Sequence, residues 1–537
     1  MHRGVAAALA TLASLILSGQ AVAHGATTGM RAPEKLGSVS FQISCKPPVT
    51  ADFDRAVALL HSFWYDAAQR AFEKVAAADP DCAMAYWGEA MVRFPQINGW
   101  PEPSAAAEAL RALVIADRAP ERTAREAAYI RALKEFYQGY TPQEALVHAR
   151  HYADAMGALA AAYPDDLEAQ AFYALALLAS DPPDDVELVN PRRAYALLAP
   201  LFKEHPNHPG IAHYIIHACD NPQMAHDGLE AARRYAAIAP ASPHALHMPG
   251  HIFARLGLWQ DDIRSNLASK AAAQATTTGM HMGAQNDLHA MEFLEYAYLQ
   301  TGQDNEARAI VEEARAVKFS DVDPRYPTYY AIVQARYPAL LSIETQNWTM
   351  AAQLRPIAGA DTFSEGLTLL AHAVAAGHRC DAPAGRKAAR TIDALIAARP
   401  PLSPDSRTMA LRDEIHAWAD FSQNDLQGAL VLLRPIADRQ ARRGKGEVEL
   451  PAREMLAEML LLDGNAAAAL PEYQASLLSD PNRFNALLGA GRAAEQLGKR
   501  ELAEGYYRTV LLNCAGADGE ASTALAHART VTKQVPD

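Results

Sequence analysis

The sequence predicts an all-α chain, a solenoid of stacked helical hairpins, and three observations carry that reading. Proline and glycine punctuate helical patterns from end to end, alternating β-branched runs are almost absent, and one residue frame recurs along the chain. Half of the 537 residues are hydrophobic, enough core for a long repeat array.

The frame is a small residue, a large apolar residue, a second apolar residue and a closing proline. It runs through Ala68, Phe72, Val75 and Asp79-Pro80, through Ala194, Leu198, Leu201 and Pro206, and through Gly228, Ala232, Tyr235 and Pro240. The last two start 228 − 194 = 34 residues apart. Near the C-terminus Ala469, Tyr473 and Pro481 repeat it, and Ala503 and Tyr507 follow 34 residues on. This is the pattern of the second helix of a tetratricopeptide repeat. One hairpin cannot bury its apolar face alone, so neighbours stack and the first helices line a concave surface.

Taken in order, residues 1–23 read as an export signal: Arg3 in a short n-region, an apolar run over 5–17 and a small-residue exit at Ala21-Val22-Ala23. Gln20 stands where a lipoprotein signal needs its cysteine, so no lipid anchor is expected. Residues 24–48 are an N-terminal extension, 49–316 a repeat array with a histidine-rich groove, 317–445 divergent helical hairpins and 446–537 C-terminal repeats. Stretches 276–286, 318–330 and 439–447 fit the frame less well, the last as a charged linker. The acidic stretch 181–187 reads as a solvated loop, and Trp87, Met91 and Phe94, at helical spacing, read as packing. No later stretch is long and apolar enough for a membrane span. The mature protein is therefore expected to be periplasmic or secreted. With 62 acidic and 49 basic residues and no basic run, nucleic acid is not an expected partner.

Cys45, Cys82, Cys219, Cys380 and Cys514 stand singly, with no CxxC pair. Export permits a disulfide, and Cys45 and Cys82, flanking the first hairpin, are the favoured pair; two buried thiols are the alternative.

The histidines between 206 and 300 set this chain apart from a generic solenoid. In His208-Pro-Gly-Ile-Ala-His213-Tyr-Ile-Ile-His217-Ala-Cys-Asp220, helical projection groups His213, His217 and Asp220 against Ile211, Ile215 and Ala218. In Ser-Pro-His244-Ala-Leu-His247-Met-Pro-Gly-His251 it groups His244, His247 and His251. The two pairs are in register, since 247 − 213 = 34 and 251 − 217 = 34. Within a pair Cβ atoms lie roughly 5–6 Å apart, and neighbouring helix axes about 8–10 Å apart, so His213, His217, His247 and His251 are expected to converge on one ion. His289, Glu292 and Tyr296 share the next first helix, with Glu292 in the place of His213 and His247 and His289 in that of His244.

With these segments the chain resembles the tetratricopeptide-repeat superfamily, and within it a group of exported bacterial repeat proteins carrying HPG-x-x-HYIIHA and SPHALHMP-x-HIF. Segments LLHSFWYDAA, DPDCAMAYWGEAM, ELPAREML and PNRFNALLGA extend the resemblance over nearly the whole mature chain. It implies that the positions of His244 and His289, of His213, His247 and Glu292, and of His217, His251 and Tyr296 face the groove. It implies a location and no reaction.

Neutral imidazole suits zinc, copper or iron, with Glu292 as a further ligand and Asp220 or Tyr296 behind the ligands. A closed site of four ligands would favour structure or metal handling, an open site of three would favour chemistry. Three readings follow: an exported scaffold with a transition-metal or ligand site in its groove, a metal-dependent enzyme using that site, and a metal-free scaffold for a protein, peptide or small ligand. A metal-free polar network between repeats is the structural alternative. His24 at the mature N-terminus and Met280-His281-Met282 are weaker copper contacts. HExxH, G-x-S-x-G and P-loop patterns are absent, which removes the commonest hydrolase and nucleotide signatures.

Overall fold

Many of the hairpin turns are closed by the same local bond. After the Thr50–His61 helix, Phe63 takes a left-handed conformation (φ 51°) and the Trp64 N–H returns to the Leu59 carbonyl. At Gly257, Gly302, Gly464 and Gly498 the following residue makes the same bond, from Leu258 to Phe253, Gln303 to Tyr298, Asn465 to Leu460 and Lys499 to Ala494. A positive-φ residue with such a returning N–H satisfies carbonyls that a helix end would otherwise leave orphaned. Repeated along the chain, it produces stacked helical hairpins.

The structure is a computed structural model that describes residues 34–276, 282–318, 327–357, 360–398, 406–446 and 448–533. All regular elements among the described residues are helices, and the chain is an all-α solenoid of stacked helical hairpins. The expected export signal, His24, Met280 and His281 lie outside the described residues, as does the Met282 side chain.

The repeat frame supplies the core: Ala68, Phe72, Val75, Ala194, Leu198, Ala232, Tyr235, Ala469, Tyr473, Ala503 and Tyr507 are all buried, as are Trp87, Met91 and Phe94. The segment before the first hairpin packs against it. Phe41 meets Phe53 and Trp87 edge-on at 5.6 and 5.7 Å, and Ser38 N–H donates to the Asn207 carbonyl. Cys45 and Cys82 are joined as a disulfide across 37 residues, at the start of the Ala83–Met91 helix.

The apolar side chains form three clusters, one from Leu36 to Phe253, one from Trp259 to Leu341 together with Val448, and one from Ala335 to Ala528. The C-terminal repeats return onto the middle of the chain. Trp259 Nε1 donates to the Asn482 carbonyl at 2.9 Å, and Phe484 N–H to Gln300 Oε1 at 3.0 Å. Buried Arg483 clamps this contact, donating to Glu454 at 2.6 Å, Glu344 at 2.7 Å and the Tyr296 hydroxyl at 2.6 Å. The charged stretch before the last repeats is a strap: Arg443 pairs with Asp181 at 2.7 Å, Arg442 with Glu187, and Arg255 donates to the Lys445 carbonyl at 3.0 Å. The acidic stretch expected to be solvated is thus pinned, and the strap holds the two halves together. Among the described residues no helix is long and apolar enough to cross a membrane.

Arg483→Met would leave Glu344 and Glu454 buried without their cation, which costs about 3–5 kcal/mol. Urea denaturation is expected to show a loss in that range. A loss under about 1 kcal/mol would mean that Arg483 is no clamp.

Candidate metal centre

Three successive first helices carry the histidines. His208 caps the Pro209–Cys219 helix, its Nδ1 accepting the Ile211 N–H at 3.2 Å, and that helix carries His213 and His217 one turn apart. Ser242 caps Pro243–His247, and the chain re-forms at once as Pro249–Arg255, which carries His251. His289 and Glu292 lie on Met282–Gln300.

These helices bring six imidazoles into two sets, His213, His217 and His244 in one and His247, His251 and His289 in the other, each with its ligand atoms within 4.8 Å of one another. In the first, His213 Nε2 lies 3.0 Å from His217 Nε2 and 3.1 Å from His244 Nε2. In the second, His247 Nε2 and His251 Nε2 are 3.0 Å apart, and the rings of His247 and His289 are 4.2 Å apart. The sets adjoin, with His217 and His251 ring centroids 6.3 Å apart. Convergence of the four in-register histidines on one ion is therefore replaced by two sets, because His244 and His289 each complete a different i, i+4 pair.

The other ring nitrogens decide the protonation. His213 Nδ1 lies 2.6 Å from the His61 carbonyl, which only accepts, so that nitrogen carries the proton. His247 Nδ1 lies 2.6 Å from Asn266 Oδ1, whose amide nitrogen is turned to Asp262 at 2.6 Å. His251 Nδ1 meets Asp220 Oδ2 at 2.8 Å, and Arg255 Nε donates to the other oxygen at 2.8 Å. Burial would push the Asp220 carboxyl up, but Arg255 and His251 hold it well below the usual carboxylate range. His289 Nδ1 lies 3.3 Å from Glu292 Oε2, and Glu292, despite burial, is held down to about 2 by Arg336 and His289. In all four rings the Nδ1 contact fixes the ring orientation and turns Nε2 into the set. His247 Nε2 and His251 Nε2 face each other at 3.0 Å.

A third cluster, His61, Glu168 and His208, is close-packed in the same way but chemically different. His61 Nε2 and His208 Nε2 donate to the two oxygens of Glu168 at 2.7 and 3.0 Å. His61 Nδ1 accepts from the Tyr214 hydroxyl at 2.8 Å, and His208 Nδ1 from the Ile211 amide. Every nitrogen there has a partner of the right sense, so this is a buried hydrogen-bond network. It supports the site through the His61 carbonyl. Gly210 makes room for it, since a Cβ there would come within 2.3 Å of His61 Nδ1. Gly250 does the same for the Asn266 brace, where a Cβ would lie 2.7 Å from Asn266 Nδ2.

Each set also rests on one phenylalanine. Phe63 stacks on His217 and His244 at 5.6 Å, and Phe293 lies 4.7 Å from His247 and 4.8 Å from His251. Phe63 occupies a left-handed turn position that four other hairpins give to glycine and three to Gln346, Cys380 and Asn424, a conformation costing a bulky residue about 1–3 kcal/mol. His61, Glu168, Phe63, Asn266 and Phe293 escape sequence reasoning. Phe63 carried a usable signal, an aromatic residue where the turn calls for glycine.

The remaining sequence-derived residues separate. Asp220 orients His251, and Glu292 braces His289 and pairs with Arg336. Tyr296 is buried under Arg483, away from the histidines, because the chain between His251 and Tyr296 exceeds one repeat and shifts the frame. His213, His247 and His251 are buried; His217, His244 and His289 are partly exposed. His217, His244, His251 and His289 line a cavity of about 700 Å³.

No protein-family model matches the chain, and no curated protein matches it in sequence. Among solved structures it is similar to a human IFIT1 dimer with m7Gppp-AAAA, at 11% identity over 81% of this chain and 90% of that one, with a TM-score of 0.34. A human IFIT1 dimer with PPP-AAAA is 13% identical over 81% of this chain and 91% of that one, with a TM-score of 0.37.

Burial, followed by neighbouring imidazoles, holds His213, His244 and His247 well below the ordinary histidine value and His217 down to about 3. Below about pH 6.5 the unfolded chain then binds protons that the folded protein refuses. Stability is full above that pH and falls as pH drops through it. For His213 and His247 the loss should be on the order of 1.4 kcal/mol each per pH unit. Denaturation midpoints of chelator-treated protein between pH 8 and 5 check this; a flat or rising profile would contradict the neutral state assigned to these rings.

Proposed function

We propose that this is an exported metal-dependent enzyme on a repeat scaffold, each three-histidine set holding one transition-metal ion at the wall of the cavity. The three imidazole ligand atoms of each set, within 4.8 Å of one another, carry this reading. Six imidazoles without a carboxylate ligand suit zinc, copper or iron. Three protein ligands beside a cavity fit a site that keeps a position for substrate, whereas structural sites close with four.

The residues divide the work. His213, His217 and His244 would hold one ion, and His247, His251 and His289 the other. Asp220, Asn266, Glu292 and the His61 carbonyl fix the ring orientations and turn the Nε2 atoms into the sets. Bound ions of this kind polarise a substrate oxygen or lower the pKa of a bound water. The returning C-terminal half covers the histidines, favouring a small ligand over a long peptide or nucleic acid. Residues 1–23 and the Cys45–Cys82 pairing support export to an oxidising compartment.

Protein purified without a histidine tag or chelating resin is expected to carry up to two zinc, copper or iron ions per chain by elemental analysis. His217→Ala and His251→Ala should each remove about one, and the pair both, with helicity retained. A wild type that takes up none of these ions when they are added, or a double variant with full metal content, would end the metal reading.

A further inference from the structure

The two histidine sets share a helical segment. The consecutive Pro243–His247 and Pro249–Arg255 helices supply both, giving His244 to the first set and His247 and His251 to the second. His244 and His247 are neighbours at i, i+3, and their ring centroids lie 6.2 Å apart. His217 and His251 meet across the same boundary at 6.3 Å.

Both sets also open on one space. His217 and His244 of the first and His251 and His289 of the second line the cavity, whereas His213 and His247, both buried, are set back from its wall. Buried Phe63 packs against the rings of the first set and buried Phe293 against those of the second. A small molecule entering from the cavity therefore meets the two sets where they adjoin.

The donors and their surroundings bear on the metal. Neither set includes a carboxylate, and ligating imidazole is neutral. The carboxylates that touch the outer nitrogens, Asp220 and Glu292, are paired with Arg255 and Arg336. Charge in a buried site is costly, so a pair of monovalent ions is favoured over a pair of divalent ones. Cuprous copper meets that condition, and its divalent form heads the affinity series for nitrogen ligands.

We propose that the two sets form one binuclear copper centre, three imidazoles to each ion, which takes dioxygen from the cavity between its ions. The proposal rests on the metal reading above and goes beyond it by joining the two ions and naming the metal and its substrate. Ligand nitrogens turned inward from facing rings 6.2 and 6.3 Å apart bring the ions within reach of one bridging molecule. Two-metal sites hold their ions about 3.5–4 Å apart. Two cuprous ions lose one electron each, dioxygen accepts both, and two protons from solvent complete hydrogen peroxide: 2 Cu(I) + O2 + 2 H+ → 2 Cu(II) + H2O2. One cuprous ion gives only one electron, so the step needs the pair.

The test uses the full chain, stripped with chelator, loaded anaerobically with cuprous ion and then exposed to dioxygen. It should hold two coppers and consume one dioxygen per pair. Because a bridge couples the two spins, most of the paramagnetic resonance signal of two separate cupric ions should be missing. His251→Ala and His289→Ala should each keep one copper, show the full signal of one cupric ion after ferricyanide oxidation, and lose the two-electron uptake while helical circular dichroism persists. His289 is partly exposed, so its variant guards against a folding defect at buried His251. Two coppers with full signal, two cuprous ions that leave dioxygen untouched, or a chain that binds zinc or iron but no copper would overturn the centre and leave the metal reading standing. A chain that takes up none of these ions ends both.

Discussion

A helical hairpin buries its apolar face only against the next hairpin, and that constraint organises the whole molecule. Stacking in a constant register brings equivalent residues of successive first helices side by side. The residues that fill the stack, such as Phe72, Tyr235, Tyr473 and Tyr507, are buried for that reason. The same register that aligns tyrosines on the second helices aligns histidines on the first, so a polar cluster arises from the geometry that builds the core.

Burying imidazoles is costly unless each polar atom finds a partner. The His61, Glu168 and His208 network meets that condition within the protein. Four of the six histidines beside it meet it on their outer nitrogens, at Asp220, Asn266, Glu292 and a backbone carbonyl. Their inner nitrogens converge on one another. The two clusters therefore have different chemical meaning although both are close groups of metal-ligating residue types, and the sense of each hydrogen bond separates them.

Closure of the cavity depends on contacts between distant parts of the chain. Arg483 ties the C-terminal repeats to Tyr296 and Glu344, and the strap around Arg443 and Lys445 reaches back to Asp181 and Arg255. The strap that locks the halves together also delivers Lys445 to the cavity wall, so architecture and electrostatics share residues.

The repeat period, the helical hairpins and the placement of His213, His217, His247 and His251 on matching positions were all legible in the sequence, because each follows from local helix geometry and a fixed repeat length. Asp220 as a brace was legible for the same reason, being one turn beyond His217. Tertiary structure alone decided that His244 and His289 complete two separate sets, that Glu292 turns to Arg336 and His289, and that Tyr296 leaves the site for Arg483. It alone brought in His61, Glu168 and Phe63. Those outcomes depend on side-chain reach, on a frame shift after His251 and on contacts between residues more than a hundred positions apart, none of which a local period records.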